Sequence, residues 1–437
     1  MIINSLIRGT AIAFKPCSIQ MGVKMKKTLA IIGNGMASNK LIEELIASTD
    51  PLYTIIVFGD EPHTAYNRIL LSPVLAGEKE LSDIKTHPAG WLEKRGVQQK
   101  LGRHYRITKI DRATRRIVCQ NGEHYSYDRL VIATGSRPTM LPISGCTLDG
   151  VMGFRDISDV ELMIETVKKP KSVIIIGAGL LGLEAAAALN KRGAHVTVIN
   201  RAGHPLNRQL DEEAGALLKH TLEARGIAFK MNTDTQRLEG KNGHVTHAVF
   251  SDKTTLQADL VIMTIGIAPN IALAEAAGIQ CERGILVSDT MQTFDPSIYA
   301  LGECVQHKRE TFGLVAPLYA QAKVLANHLA EHGVAEFKSL PSATKLKVSG
   351  INLFSVGDFE GQNNCEFLEY RDKSANTYKK LVLKNNKLVG ALLFGDVKEG
   401  PFYQSLIDAN SNVADIRHYL IFGEALSRAQ QPAYFAA

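Results

Sequence analysis

The sequence is poor in the features that announce many kinds of chemistry. It has six cysteines in 437 residues, Cys17, Cys119, Cys146, Cys281, Cys304 and Cys365. No two of them form a C-x-x-C, and no Cys/His group has zinc or iron–sulfur spacing. That predicts no metal site and buried free thiols of a reducing compartment, so the cytoplasm is expected. There is one tryptophan and aromatics make up 6% of residues, which gives no base-stacking surface. No run approaches eighteen uncharged apolar residues, which excludes a membrane-spanning helix. The net charge is +6, but Arg8, Lys15 and Lys24 supply half of it before Met25. The remainder is too small to argue for nucleic acid, and it permits a docking face for an acidic protein.

What is present is a phosphate-binding fingerprint written twice. TLAIIGNGMAS places Gly33, Gly35 and Ser38 in the three glycine slots, and SVIIIGAGLLGLEAA places Gly177, Gly179 and Gly182 there. Each follows a short apolar run that reads as a buried parallel strand and opens a helical pattern. Each also has a companion downstream, YDRLVIATGSRP for the first and ADLVIMTIGIAPN for the second. In this loop the first glycine permits a tight turn and the second lets phosphates approach the backbone. The third allows close packing of helix on strand, while the helix N-terminus favours negative charge. A lone fingerprint is weak evidence, but a duplicated one with its companion is strong. It implies two dinucleotide sites on one chain, and electron transfer between two cofactors.

The expected architecture is α/β, with two Rossmann-like three-layer dinucleotide-binding domains and a C-terminal α+β domain. Helices are expected over Ala37 to Ser48, Leu180 to Arg192, Pro317 to His332 and near Phe402 to Ala409. Residues 92 to 130 read as loops and hairpin material. Crossings near Pro138 to Gly145 and Gly266 to Asn270 make the first domain discontinuous, over 25–145 and 267–335, with the second inserted at 146–266. From about Ser342 apolar and polar residues alternate, and Asn385-Asn386 is a hairpin turn signal. The third domain, 340–437, is a docking face or a homodimer interface, between which the sequence does not choose. Residues 1–24 read as an unstructured extension and Met25 as the natural start. Asp60-Glu61 lies past the first domain's second strand, where an acid accepts from a ribose. Asn200-Arg201 takes that place in the second domain. Arg201 is a partner for a 2′-phosphate or a solvated surface charge, so NADH and NADPH both stay open.

The two fingerprints with ATGSRP, TIGIAPN and ALGEC resemble the FAD-dependent pyridine-nucleotide oxidoreductases from Met25 to about residue 335. More narrowly, GNGMA, FGDEPHTAYNRILLSPVLAGE, GFRDISDVE, RQLD and GLVAPLYAQA resemble the flavoprotein part of NAD(P)H nitrite reductase large subunits. SATKLKVSG extends the likeness into the third domain. The resemblance implies FAD as cofactor and NAD(P)H as substrate. It places Gly33, Gly35 and Ala37 on the FAD pyrophosphate, Asp60 and Glu61 on the ribose, Ile107 at the adenine and Arg137 against the phosphates. Glu303 would meet the ribityl chain, with Arg68 and Val315 near the isoalloxazine ring. Gly177, Gly179, Leu181 and Gly182 would hold NAD(P)H, with Glu184 by the nicotinamide and Gly266 by the nucleotide. Arg68 and Glu184 are the catalytic candidates.

Thiol-using relatives carry a reactive cysteine where this chain has Ser72, and a hydroxyl cannot store electrons. Reduced flavin is therefore expected to pass electrons outward to a metal-centred protein. That acceptor is a nitrite or nitrate reductase component, or a rubredoxin- or ferredoxin-like carrier. Without cysteine clusters for siroheme or an iron–sulfur centre, the chain is not expected to reduce nitrite by itself. A carrier reductase unrelated to nitrogen metabolism and a non-catalytic FAD/NAD redox sensor are the alternatives.

Overall fold

The computed structural model describes residues 26–47, 52–339, 344–348, 350–362 and 364–429. The extension assigned to 1–24, Ser48 at the end of the first expected helix, and Ser342 lie outside the described residues.

Two five-stranded parallel sheets carry the molecule. The first runs Gln98–Leu101, Tyr53–Gly59, Lys27–Ile32, Arg129–Ile132, Ile298–Ala300. The second runs Ala228–Lys230, His195–Ile199, Ser172–Ile176, Leu260–Met263, Val151–Met152. Both central strands are apolar and buried along most of their length, as parallel strands covered by helices on both faces must be. In each, the glycine loop turns the chain into a twelve-residue helix, Met36–Ala47 or Leu180–Lys191. Setting aside the last-named strand of each sheet, the other four arise in the same chain order: the glycine strand, then Tyr53–Gly59 or His195–Ile199, third Gln98–Leu101 or Ala228–Lys230, and fourth Arg129–Ile132 or Leu260–Met263. The fifth strand does not: it comes late in the chain for the first sheet and before the glycine strand for the second.

An antiparallel three-stranded meander follows the third strand of each sheet, Ile107–Asp111, Arg116–Cys119, His124–Ser126 in one. In the other it is Thr235–Lys241, His244–Phe250, Thr255–Gln257. The two crossings between the sheets pair with each other as an antiparallel ribbon, Ser136–Pro138 against Ile267–Pro269. The helix Val315–Leu329 packs on Met36–Ala47 and begins two residues before Pro317, which sits in its first turn and needs no N–H partner.

Beyond them lies an antiparallel five-stranded sheet ordered Thr344–Val348, Ile351–Gly357, Lys387–Phe394, Thr377–Lys384, Glu366–Asp372. Its central hairpin turns at Asn385 and Asn386, both at positive φ (51° and 57°), as a tight two-residue turn demands. Strand alternation gives the sheet two apolar faces. Phe354, Leu381 and Leu393 meet Tyr403 of the helix Gly400–Asp408. Leu353, Tyr378, Leu392 and Phe394 pack into the core that also holds Leu71, Leu75, Leu183 and Leu206. Side chains this deeply buried each stabilise by about 2 kcal/mol, and Tyr378 also donates to Asp211 at 3.0 Å. The third domain is thus packed under the second sheet's helices rather than held apart.

Candidate functional site

Two cradles open at the C-terminal ends of the parallel strands. In the first, Gly33 adopts φ +116°, donates to the Phe58 carbonyl at 2.7 Å, and would drive a Cβ into the Ala133 carbonyl oxygen. In the second, Gly177 adopts φ +114° and donates to the Ile199 carbonyl at 2.8 Å. A Cβ there would lie 2.7 Å from the Thr264 carbonyl oxygen. Only glycine satisfies both the dihedral and the contact. At Gly35 and Gly179 a Cβ would meet nothing within 4 Å. Each cradle therefore has a bare backbone face beside a helix N-terminus, the arrangement a pyrophosphate fits.

The third slot separates them. Gly182 is pressed against the Gly177 carbonyl, where a Cβ has no room. Ser38 is fully buried, and its hydroxyl donates to the Gly35 carbonyl at 2.9 Å. Ala37 lies beside Gly302, where a built Cβ would stand 3.3 Å from that of Ala37. The Gly302 N–H donates to the Gln321 side chain at 2.8 Å, on the helix that Val315 begins. Ala37, Glu303 and the Val315 helix are thereby gathered around one loop. Asp60 is joined to the Ile107 strand through Arg106, Nε to Oδ2 3.4 Å. Arg137 extends from the crossing ribbon and reaches Asn270 at 3.5 Å, with its side chain exposed.

Glu61 and Arg68 form an ion pair; Tyr66 donates to Glu61 at 2.7 Å and accepts from Arg68 at 2.8 Å. Arg68 also donates to the Arg155 carbonyl at 3.1 Å. Arg155 pairs in turn with Glu303, which accepts from Ser136 at 2.8 Å. Neither Arg155 nor Ser136 was singled out as a site residue by sequence. Their only local signals were their places inside GFRDISDVE and ATGSRP.

Ser72 and Glu184 join the two cradles. Ser72 Oγ donates to Glu184 Oε2 at 2.6 Å, from the short helix Leu71–Leu75 to the second glycine helix. Arg192 at the far end of that helix donates to the Leu75 and Val74 carbonyls, and Lys191 pairs with Glu78 at 3.0 Å. Burial pushes the Glu184 carboxyl above its usual range, and the Ser72 hydroxyl offsets only part of that.

In the second cradle Leu181 is 37% exposed and Gly266 stands at φ +131° with open space before it. Asn200 turns inward and accepts from the Ala178 N–H at 3.3 Å. Arg201 turns outward, 80% exposed and paired with Asp234 at 2.9 Å, so it is not drawn into the glycine loop. Cys304 is fully buried, donates to the Leu301 carbonyl at 3.3 Å, and burial raises its thiol. It is therefore a packed thiol rather than an accessible thiolate. Cys119, Cys146, Cys281 and Cys365 are also free. Among the described residues no helix is long and apolar enough to cross a membrane.

The family model for pyridine nucleotide-disulphide oxidoreductases matches residues 27–322, which takes in both cradles. The chain belongs to that family. A second model, the rubredoxin NAD+ reductase C-terminal domain, matches residues 341–411 of this oxidoreductase. Among curated relatives, a nitrite reductase [NAD(P)H] of Bacillus subtilis is 42% identical over 390 residues, 89% of this chain and 48% of that protein. The assimilatory nitrate reductase electron transfer subunit of the same organism is 39% identical, over 90% of this chain and 50% of that one. The chain spans about half the length of these relatives. Among solved structures, the reductase of a covalent putidaredoxin reductase–putidaredoxin complex superposes with TM-score 0.80 at 25% identity, covering 92% of this chain and 99% of that one. The NADH:rubredoxin oxidoreductase of Clostridium acetobutylicum gives 0.75 at 26%, covering 90% and 97%.

Proposed function

We propose that this chain is an FAD-dependent NAD(P)H oxidoreductase of the cytoplasm, delivering electrons to a metal-centred protein in nitrite or nitrate assimilation. The observation that carries the proposal is the pair of bare glycine faces at helix N-termini, tied together by the Ser72–Glu184 hydrogen bond. FAD supplies the chemistry when bound, accepting two electrons as hydride and giving them up singly.

The chain's own residues bind and orient. Residues 25–145 and 267–335 form the FAD-binding unit in this reading, and Gly33, Gly35, Ala37 and Arg137 hold its phosphates. Asp60 takes the ribose, Ile107 the adenine, and Glu303 the sugar-alcohol chain, while Arg68, with Glu61 and Tyr66 on it, and Val315 line the ring. Residues 146–266 form the NAD(P)-binding unit, with Gly177, Gly179, Leu181, Gly182 and Gly266 on the nucleotide and Glu184 on the nicotinamide. The Ser72 helix fixes the second cradle against the first and keeps water from the junction. The relative named as an electron transfer subunit for assimilatory nitrate reduction supports the setting.

The test is anaerobic. Purified, FAD-loaded protein should be yellow, bleach with NADH or NADPH, and recolour rapidly with its natural acceptor. Protein that cannot be loaded with FAD, or whose colour NADH and NADPH both leave unchanged, would sink the proposal. A second reading, a rubredoxin- or ferredoxin-reductase-type electron transferase, is favoured by the match over residues 341–411. Turnover with rubredoxin or ferredoxin outpacing that with a nitrite or nitrate reductase component would select it.

A further inference from the structure

Arg155 belongs to neither glycine loop, yet three parts of the first cradle converge on it. It lies between Val151–Met152, the edge strand of the second sheet, and the helix Ile157–Thr166. Its backbone is pinned: its N–H donates to Asp159 Oδ2 at 2.6 Å, and Asp156 and Asp159 close a capping box beside it. Its carbonyl accepts from Arg68 at 3.1 Å. Its guanidinium pairs with Glu303 and passes within 3.8 Å of the Cβ position of Gly135. The two side chains are largely buried, 24% and 13% exposed. Ser136 and Arg155 both donate to Oε2 of Glu303, and no donor among the described residues falls on Oε1.

We propose that Arg155 is a positioning residue of the first cradle, holding Glu303 oriented so that its second oxygen accepts a polyol hydroxyl of the bound flavin. The assignment rests on the FAD reading above. A largely buried carboxylate without its cation is strongly disfavoured and would rotate away toward water. Ser136 alone is a neutral donor and cannot replace the charge. Through its carbonyl the same residue fixes Arg68, so one backbone position sets two cofactor-facing side chains. Arg155 acts on the flavin through Glu303, and that distinguishes it from a general brace.

A double-mutant cycle tests this, with FAD affinity of stripped protein read by flavin fluorescence and melting temperature read on the apoprotein. Arg155→Gln should weaken FAD binding about tenfold and lower the melting temperature. Glu303→Gln should weaken FAD to a similar degree. The double variant should bind FAD no worse than either single variant, and its melting temperature should return toward wild type because no unpaired charge remains buried. Losses of affinity that multiply in the double variant would overturn the proposal, as would Arg155→Gln binding FAD within twofold of wild type. Wild-type protein that binds no FAD would instead overturn the functional reading, so the two failures are distinguishable.

Discussion

In the first cradle the glycine strand is walled by pieces far apart in the chain. Ala133 closes over Gly33, Gly302 over Ala37, and Gln321 over Gly302. In the second cradle fewer pieces close in: Thr264, 87 residues along the chain, closes over Gly177 and Gly182, Asn200 caps Ala178, and Leu181 and Gly266 are left open. One topology thus serves two purposes. Closure by the further Gly302–Gln321 segment suits a cofactor that stays, and a cleft left open at Leu181 and Gly266 suits a nucleotide that must arrive and leave with every turnover. The third slot follows the same division. Ser38 spends its hydroxyl on its own loop, where Gly182 has a carbonyl against its α-carbon.

The largest effect is expected where dihedral and contact coincide. Gly33→Ala and Gly177→Ala each add a Cβ at positive φ against a backbone carbonyl, a strain of about 3 kcal/mol or more. If the cradles have separate occupants, the first variant should purify colourless. The second should stay yellow but no longer be bleached by NAD(P)H. Absorbance at the flavin band before and after anaerobic nucleotide addition reads both. Loss of colour in both variants would break the division.

Exchanging the third slots sharpens it. Gly182→Ser should raise the KM for NAD(P)H about tenfold or more, because the added Cβ must displace the Gly177 carbonyl from the loop. Ser38→Gly loses one hydrogen bond, worth about 1 kcal/mol, and should hold FAD within about fivefold. Comparable damage from the two exchanges would mean the slots are equivalent after all.

Much of this arrangement is legible in the sequence, for a physical reason. The turn at Gly33 and Gly177 demands a conformation only glycine adopts freely, so the backbone requirement is written in the residue type. The Asn385-Asn386 hairpin was readable on the same ground. The fifth strands were not, because Val151–Met152 and Ile298–Ala300 are two and three residues long and too short to show a period. The meander after each third strand read only as loops and hairpin material in the first unit. Arg155 and Ser136 meet Glu303 across 148 and 167 residues, a separation that leaves no local pattern. Ser72 was read for the sulfur it lacks, and the hydrogen bond it makes to Glu184 needed the two helices side by side.

That bond is the seam between the cradles, and its removal should have a middling effect. Ser72→Ala deletes the Glu184 carboxylate's neutral donor, a loss of about 1–2 kcal/mol, and Ser72→Thr should restore it. The expected reading is a lowered rate of nucleotide-driven bleaching with flavin content unchanged. The pH sign follows from burial. The carboxyl of Glu184 is raised in the folded state, so protonation adds stability that is fully present below the unfolded value, 4.5, and lost as pH rises through the folded one. Without Ser72 the folded value rises further, so in Ser72→Ala that loss should extend to higher pH. Urea titrations across the acid range check this. A stability profile unchanged from wild type would mean that Glu184 does not feel Ser72.

The smallest effect is expected at the position that most tempts a cofactor-preference argument. Arg201 occupies in the second cradle the place that Asp60 occupies in the first, an apparent reversal of charge. Yet its side chain is 80% exposed and its guanidinium is held by Asp234. To meet a 2′-phosphate it must leave that carboxylate. An exposed ion pair of this kind is worth at most about 1 kcal/mol, so the exchange is nearly balanced. Arg201→Ala should therefore change the KM for NADPH by less than about fivefold and that for NADH by less than about twofold. Asp234→Ala, which frees the guanidinium, should move the NADPH value in the opposite direction. A rise of fiftyfold for NADPH in Arg201→Ala would make this arginine the reader of the phosphate. The contrast between the cradles would then lie in charge rather than in how each is closed.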